Sequence, residues 1–154
     1  MPAKCAPLAY EESFTVEESA HLRTCVLPGG MEDKWIVLFD DFRLSFHRSW
    51  TGFCIYAVTL VNINEDQEPP DVFCTSQPIV NRDPDEYTCT DDAYDARLLS
   101  WLIRTLMLHQ EVEFPVDPTL SPEDALITMW GLAGNAAFTP PPTTPSAEPD
   151  RDAR

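Results

Sequence analysis

Apolar and polar positions along the chain predict three helices. Thr15 is followed three residues later by Glu18, the spacing of a capping box, so a short helix is expected before the Pro28-Gly29-Gly30 break. A longer helix is expected from Thr90-Asp91-Asp92, since acidic residues stabilise a helix amino terminus. Its apolar positions follow helical spacing: Tyr94, Leu98, Leu99, Leu102, Ile103 and Leu106.

Three stretches between the first two helices have strand character. WIVLF (35–39) is a continuous apolar run, FRLSFHR (42–48) alternates strictly, and FCIYAVTLV (53–61) is β-branched or aromatic on both faces. The alternation places Phe42, Leu44 and Phe46 on one face of the middle strand. Turn residues separate the runs, so we expect a three-stranded antiparallel meander. The segment 71–81 adds one strand, and Pro78 favours an edge position for it.

The last helix is predicted from Ser121 as its cap, with Pro122 in the first turn, and it presents the apolar residues Leu126, Met129 and Trp130. The fold class is therefore α+β: a small antiparallel sheet, a meander plus an edge strand, covered by a long helix and flanked by a short amino-terminal and a carboxy-terminal helix. Residues 1–12 are expected to be a loosely ordered arm, 13–138 a single domain, and 139–154 a disordered proline-rich tail.

Charge and composition exclude several classes of function. Acidic residues outnumber basic ones by 26 to 10, a net charge of −16, which disfavours binding of nucleic acid through a basic face and of anionic membranes. No apolar window approaches the length of a membrane span, so a cytoplasmic location is expected. The five cysteines form no C-x-x-C pair and the three histidines are dispersed, so neither a metal site nor a cofactor is predicted.

The alternation in FRLSFHR also gives the first functional clue. Arg43, Ser45 and His47 fall on the face opposite the apolar residues and form a polar row. A polar row on an otherwise apolar sheet is typical of a binding cleft, and His47 is placed there as a candidate acid or base. The alternative is a solvated sheet face with a structural histidine.

The hairpin turn that follows brings together a cation, an aromatic ring and hydroxyls. Arg48, close to Thr51 and to backbone amides, is a candidate clamp for a phosphate or carboxylate, and Trp50 is a candidate stacking platform. The alternatives are a salt bridge for Arg48 and a tryptophan folded back on the domain.

A second polar group lies in VNRDPDEY (80–87). Asn81 and Arg82 occur where the chain leaves the predicted sheet for the long helix, a common position for ligand residues. Arg82 is predicted to meet Arg48 around one anion, with Tyr87 stacking on the ligand. Alternatively, Arg82 neutralises the neighbouring acidic residues.

The order of these motifs resembles a family of small uncharacterised bacterial proteins, which shares HRSWTGxCIY and VNRDPxxY. The resemblance covers about residues 31–103 and implies a loose association with domains that process ADP-ribose or NAD. Two hypotheses follow. The protein binds, and possibly processes, an anionic nucleotide-like ligand such as an ADP-ribose or NAD derivative; alternatively, it is a non-catalytic, immunity-type partner of a basic protein.

Overall fold

The computed structural model describes residues 1–66 and 71–137, so the predicted tail over 139–154 lies outside the described residues. The elements in chain order are β1 (Cys5–Pro7), α1 (Val16–His21), β2 (Trp35–Asp40), β3 (Arg43–Arg48), β4 (Cys54–Asn62), β5 (Phe73–Asn81), α2 (Asp92–Leu102), a π-helical turn (Ile103–Met107), α3 (Pro122–Ala133) and a 3₁₀ turn (Asn135–Ala137). No helix in the described ranges is long and apolar enough to cross a membrane.

The strands form one antiparallel sheet in the order β1-β5-β4-β3-β2, which confirms the α+β class. The sheet has five strands rather than four. The prediction of an edge position for β5 is wrong, because β5 pairs with β4 on one side and with β1 on the other. Pro78 is tolerated there because the register with β4 shifts beside it and Gln77 has a φ of 48°, so the proline lies where the ladder is already irregular.

The amino-terminal segment, predicted as a loosely ordered arm, contains β1. Its backbone pairs with residues 79–81 of β5, and the amide of Leu8 donates to the carbonyl of Pro78 at 2.8 Å. The Leu8 side chain is buried in the core. A strand of three residues is too short to show the alternation of apolar and polar positions from which a strand can be predicted.

The two hairpins of the sheet turn in different ways. Asp41 and Phe42 have φ values of 45° and 56°, so they form the turn between β2 and β3. Phe42 therefore lies outside β3, and its side chain is partly exposed at the edge of the core, where its ring centroid lies 5.7 Å from that of the buried Phe73. In the next hairpin Gly52 has a φ of 74°, the left-handed conformation that its position in the turn predicts.

The helices pack on the sheet face that carries Leu44, Phe46 and Tyr56, all fully buried. The predicted capping box of α1 is present, with Thr15 and Glu18 bonding each other's backbone amides. The Asp91 carboxylate caps α2 by accepting from the amides of residues 93 and 94. The apolar stripe of α2 and the π-helical turn is buried as predicted at Leu98, Leu99, Leu102 and Ile103.

Helix α3 begins with the predicted cap, since Ser121 Oγ accepts from the amide of residue 124 and Pro122 follows. Leu126 and Trp130 are exposed, as is Ile127 between them. Only the last turn of α3 is tightly held, because Ala133 is buried and Gly134 bridges to Asp33. Helix α3 therefore carries apolar side chains on its solvent-exposed side as well as on the side that packs on the core.

Candidate functional site

The polar row of β3 lines a concave depression on the sheet face opposite the helices. Its volume is about 310 Å³, and Arg43, Ser45 and His47 all contribute to it. The other lining residues are Met1, Asp40, Cys54 and Ala57. We call this cavity the β3 depression. The row exists because Leu44 and Phe46 between these residues are buried in the core, which fixes the opposite orientation for their neighbours.

Within the β3 depression His47 is held by two hydrogen bonds. Its Nδ1 lies 3.0 Å from the carbonyl oxygen of Gly52, and its Nε2 lies 3.0 Å from Ser45 Oγ. A carbonyl only accepts, so Nδ1 carries the proton in the neutral ring and Nε2 is left to accept from the Ser45 hydroxyl. The ring is therefore fixed in one orientation by the hairpin turn.

Arg43 differs from the other cations of the described residues. Ten lysines and arginines occur in the chain, and two of them, at 151 and 154, lie beyond the described part. Seven of the remaining eight contact a carboxylate, a carbonyl or an aromatic ring: Lys4, Arg23, Lys34, Arg48, Arg82, Arg97 and Arg104. Arg43 has no ion pair, hydrogen bond or ring contact in this part of the chain. Its guanidinium is available to an anion.

Arg48 lies on the opposite face of β3 and caps helix α3. Its guanidinium donates to the carbonyls of Gly131 at 2.8 Å and Leu132 at 3.2 Å, and lies 4.9 Å from the ring of Trp35. These carbonyls belong to the last turn of α3, where a cation is favoured. Burial lowers the pKa of Arg48. Its donors are directed at the protein itself.

Arg82 is bound by carboxylates of α2 rather than by Asp83, Asp85 and Glu86, the sequence neighbours that the local-neutralisation alternative predicts. It pairs with Asp92, its Nη1 lies 2.7 Å from Asp95 Oδ2, and Nη1 also donates to the carbonyl of Cys89 at 2.9 Å. Asp95 Oδ2 has no hydrogen-bond partner among the described residues besides this ion pair with the guanidinium.

Asp95 is fully buried and organises a polar network inside the core. Its Oδ1 accepts from the hydroxyls of Tyr56 at 2.7 Å and Tyr87 at 2.5 Å. We call Tyr56, Arg82, Tyr87 and Asp95 the Tyr–Asp network. It connects β4, the segment after β5 and α2, and Trp35 extends it toward Arg48 by stacking on Tyr56 at a centroid distance of 6.0 Å. Tyr87 is thus a core residue whose hydroxyl is already bound.

Burial raises the pKa of all four tyrosines, to about 12 for Tyr10 and Tyr94 and well above the usual value for Tyr56, with Tyr87 raised likewise. A folded-state pKa above the unfolded value of about 10 gives stability that is complete below pH 10 and is lost as the pH rises beyond it. We expect the free energy of unfolding to fall by about 1.4 kcal/mol per pH unit for each buried tyrosine in that range. In a spectroscopic titration, tyrosinate absorbance should rise together with loss of the circular dichroism signal; tyrosinate appearing while the fold persists would contradict this account.

The remaining predicted site residues have different surroundings. Asn81 is fully buried, and its amide nitrogen donates to the carbonyl of Cys54 at 2.9 Å and to Glu86 at 2.7 Å. Thr51 is exposed in the turn, where its hydroxyl accepts from the amide of Phe53 at 3.3 Å. The side chains of Asn81 and Thr51 therefore already bond groups of the protein itself.

Trp50 is 68% exposed at the tip of the hairpin. Its ring nitrogen donates to the carbonyl of Met31 at 3.0 Å, and the ammonium of Lys34 lies 5.4 Å from the ring centroid. With Pro28, Gly29 and other residues of that loop, Trp50 borders a shallow concavity of about 560 Å³. The ring is partly folded back, yet it keeps a face open to solvent.

The structure therefore does not gather the predicted ligand residues into one pocket. His47 lines the β3 depression, Arg48 points to the other face, and the groups of Asn81, Arg82 and Tyr87 bind internal partners. Sequence reasoning missed the role of Asp95, although it lies at helical spacing with Leu98, Leu99 and Leu102 on the buried stripe of α2. An acidic residue on an apolar stripe is the signal that predicts a buried ion pair.

Within the described ranges, no group of three or more His, Cys, Asp or Glu side chains is arranged to hold a metal ion. The β3 depression thus combines a guanidinium, a hydroxyl, an imidazole, the thiol of Cys54 and the carboxylate of Asp40. Comparisons with protein-family models, with curated proteins and with solved structures find no match for this chain.

Proposed function

We propose that the protein binds a small anionic ligand in the β3 depression. The observation that carries this proposal is the uncommitted guanidinium of Arg43 beside the hydroxyl of Ser45 and the imidazole of His47. Asp40 lines the same depression and lies opposite Arg43 in the β2–β3 ladder, yet among the described residues it forms no ion pair with that guanidinium. A phosphate or carboxylate would accept hydrogen bonds from the guanidinium, because the planar arrangement of the guanidinium donors matches the spacing of the oxygens in these anions.

The size of the depression limits the ligand. About 310 Å³ lies at the lower end of the range for small-molecule sites, which is enough for a phosphate with an attached sugar and too little for an entire dinucleotide. The motif resemblance makes nucleoside monophosphates the first ligands to test, because they are parts of ADP-ribose and NAD that match this volume, whereas ADP-ribose and NAD would extend beyond the depression. Inorganic phosphate is the minimal probe of the anionic group.

Thermal stabilisation by ligand tests the proposal. At about 100 times its Kd a ligand stabilises a protein by about 2.7 kcal/mol, which raises the Tm of a domain of this size by about 5–10 °C. We expect Arg43→Ala to raise the Kd about 10- to 100-fold, because a charge-assisted hydrogen bond contributes about 1.5–3 kcal/mol. The Tm without ligand should change little, since Arg43 has no internal partner.

Arg97→Ala is the matched control. Arg97 is an exposed arginine of α2 whose guanidinium lies 5.7 Å from the ring of Tyr94. The control variant should retain the wild-type ligand response. Equal losses in both variants would show nonspecific attraction of the ligand to positive charge, and an unchanged response of Arg43→Ala would place the ligand elsewhere.

We also propose, as a second candidate function, that the protein binds a basic partner protein through the apolar end surface, defined as Met31, Trp50, Leu126, Ile127 and Trp130. All five side chains are exposed. They lie at one end of the molecule, since Trp50 bonds Met31 and the last turn of α3 packs against Glu32 and Arg48.

Charge complementarity favours a basic occupant for this surface. Exposed Glu123 and Asp124 lie in the first turn of α3, and the net charge of −16 opposes association with a second copy of the chain. An amphipathic helix with one basic and one apolar face has the matching chemistry.

A synthetic amphipathic peptide of leucine and lysine tests the second candidate. We expect Ile127→Asp to weaken its binding by at least about 10-fold, because burying an unpaired charge in the interface costs more than 1.4 kcal/mol. A scrambled peptide of the same charge without an apolar face is the control. If Ile127→Asp binds like the wild type, or if both peptides bind equally, the attraction is charge alone and the surface is not a docking site.

A further inference from the structure

Two side chains of the β3 depression are arranged as a nucleophile and its base. Ser45 Oγ and His47 Nε2 are 3.0 Å apart, within the reach needed for proton transfer. The other ring nitrogen, Nδ1, is held at 3.0 Å by the carbonyl of Gly52, which fixes the tautomer as the aspartate of a catalytic triad does. Nucleophile, base and orienting acceptor are all present on one hairpin.

The depression contains a second candidate nucleophile, the thiol of Cys54. Its Sγ donates to the carbonyl of Tyr56 at 3.5 Å, and burial raises its pKa, so the thiol form is favoured. Only the thiolate is nucleophilic. Ser45, which has a base in hydrogen-bonding contact, is therefore the better placed of the two groups.

We propose that Ser45 and His47 form a nucleophile–base pair that cleaves a carboxylic ester of an anionic compound. This inference rests on the proposed function, because Arg43 supplies the cation that would hold the anionic group of the substrate beside Ser45. Arg43 and Ser45 are two positions apart on β3 and line the same cavity. The substrate class is a small ester with a phosphate or carboxylate on either its acyl or its alcohol part.

The reaction proceeds in two balanced steps. Ser45 Oγ bonds to the acyl carbon while its proton passes to His47 Nε2, and the alcohol leaves with that proton as the ester bond breaks. Water then gives one proton to Nε2 while its oxygen bonds to the acyl carbon, and the carboxylic acid leaves as Ser45 Oγ regains the proton from His47. The acid then releases its own proton to the solvent. No oxidant, metal or further reactant is needed.

A fluorophosphonate probe tests the nucleophile directly. Ser45 Oγ would bond to phosphorus, fluoride would leave, and the hydroxyl proton would pass to His47. We expect peptide mass spectrometry of the full chain to place the label on Ser45. The label should be lost in Ser45→Ala and slowed about 100-fold in His47→Gln, since general base catalysis contributes at least that factor.

Ser76→Ala is the matched control. Ser76 is a partly buried serine of β5 outside the residues that line the depression, so this variant should be labelled like the wild type. The same variants are assayed with p-nitrophenyl succinate and with p-nitrophenyl acetate, which differ by one carboxylate. Arg43→Ala should lower the ratio of the rate on the succinate ester to the rate on the acetate ester, because the guanidinium contacts only the additional carboxylate of the succinate ester.

The outcomes separate this inference from the proposed function. If ligands stabilise the wild type through Arg43 but Ser45 is not labelled, or if His47→Gln is labelled as fast as the wild type, the depression binds anions without catalysis and the inference is overturned. Labelling of Ser45 that inorganic phosphate does not slow, with equal rates on the two esters, would uphold the nucleophile and contradict the anion site.

Discussion

Replacing Asp95 with alanine is expected to lower the free energy of unfolding by about 3–5 kcal/mol, the cost of breaking a buried ion pair. The carboxylate is fully buried, pairs with Arg82 and accepts from the hydroxyls of Tyr56 and Tyr87. Its removal leaves one of these hydroxyls without an acceptor, because the two lie 2.9 Å apart and can share only one hydrogen bond. Because domains are stable by only about 5–15 kcal/mol, chemical denaturation should show a large loss.

Asp92→Ala is the control for that experiment. Asp92 pairs with the same guanidinium, yet its side chain is 64% exposed, so its removal should cost less than about 1 kcal/mol. Comparable losses in the two variants would mean that burial does not determine the contribution of each carboxylate. Asp95→Asn, which keeps the shape and one acceptor oxygen, should fall between them.

The second large effect is expected from Gly134→Ala, which should destabilise the protein by about 3 kcal/mol through a steric clash and a strained backbone. Gly134 has a φ of 56°, and an added Cβ would lie 1.9 Å from the carbonyl oxygen of Glu32 and 2.8 Å from Cγ of Lys34. The glycine permits the close approach that docks the end of α3 on the 32–34 segment. Thermal unfolding followed by tryptophan fluorescence measures the loss.

Gly131→Ala is the natural comparison, because the two glycines are three residues apart. An added Cβ at Gly131 meets nothing within 4 Å, and the residue lies inside α3. Alanine is favoured over glycine in a helix by about 1 kcal/mol, so this variant should be slightly more stable than the wild type. If the Gly134→Ala variant were more stable than the wild type, the close contact between the end of α3 and the segment 32–34 would be contradicted.

The sequence pattern predicted the elements that local chemistry determines. The capping box of Thr15 and Glu18, the Ser121 cap, the left-handed Gly52 and the buried stripe of Leu98 and Leu102 all depend on residues near each other in the chain. Short-range sequence patterns of this kind predict the structure correctly because they do not depend on any tertiary contact.

Features that depend on distant partners were not predictable in this way. The place of β5 inside the sheet depends on β1, which lies some 70 residues away in sequence and has too few residues to show alternation. The orientation of α3 depends on the contacts of Arg48 with the carbonyls of Gly131 and Leu132. A backbone acceptor has no sequence signature, so a salt bridge or a ligand was the expected partner of Arg48.

Distant partners also explain why the predicted ligand residues differ from the residues that line the β3 depression. An arginine next to turn glycines and an arginine at the exit of a strand both resemble ligand clamps, yet Arg48 and Arg82 bind internal acceptors. The polar row of Arg43, Ser45 and His47 was predicted from alternation alone, and the structure gives it a cavity. The availability of Arg43 becomes visible only once the partners of the other cations are known.

Chemical-shift mapping by nuclear magnetic resonance tests the central claim most directly. Titration of the isotope-labelled full chain with inorganic phosphate and with ADP-ribose should shift the amide signals of Arg43, Ser45, His47 and Ala57, together with the guanidinium signal of Arg43. Shifts confined to the surroundings of Trp50 or of Arg82, or no shift near β3 at millimolar ligand, would contradict the assignment of the ligand site to the β3 depression.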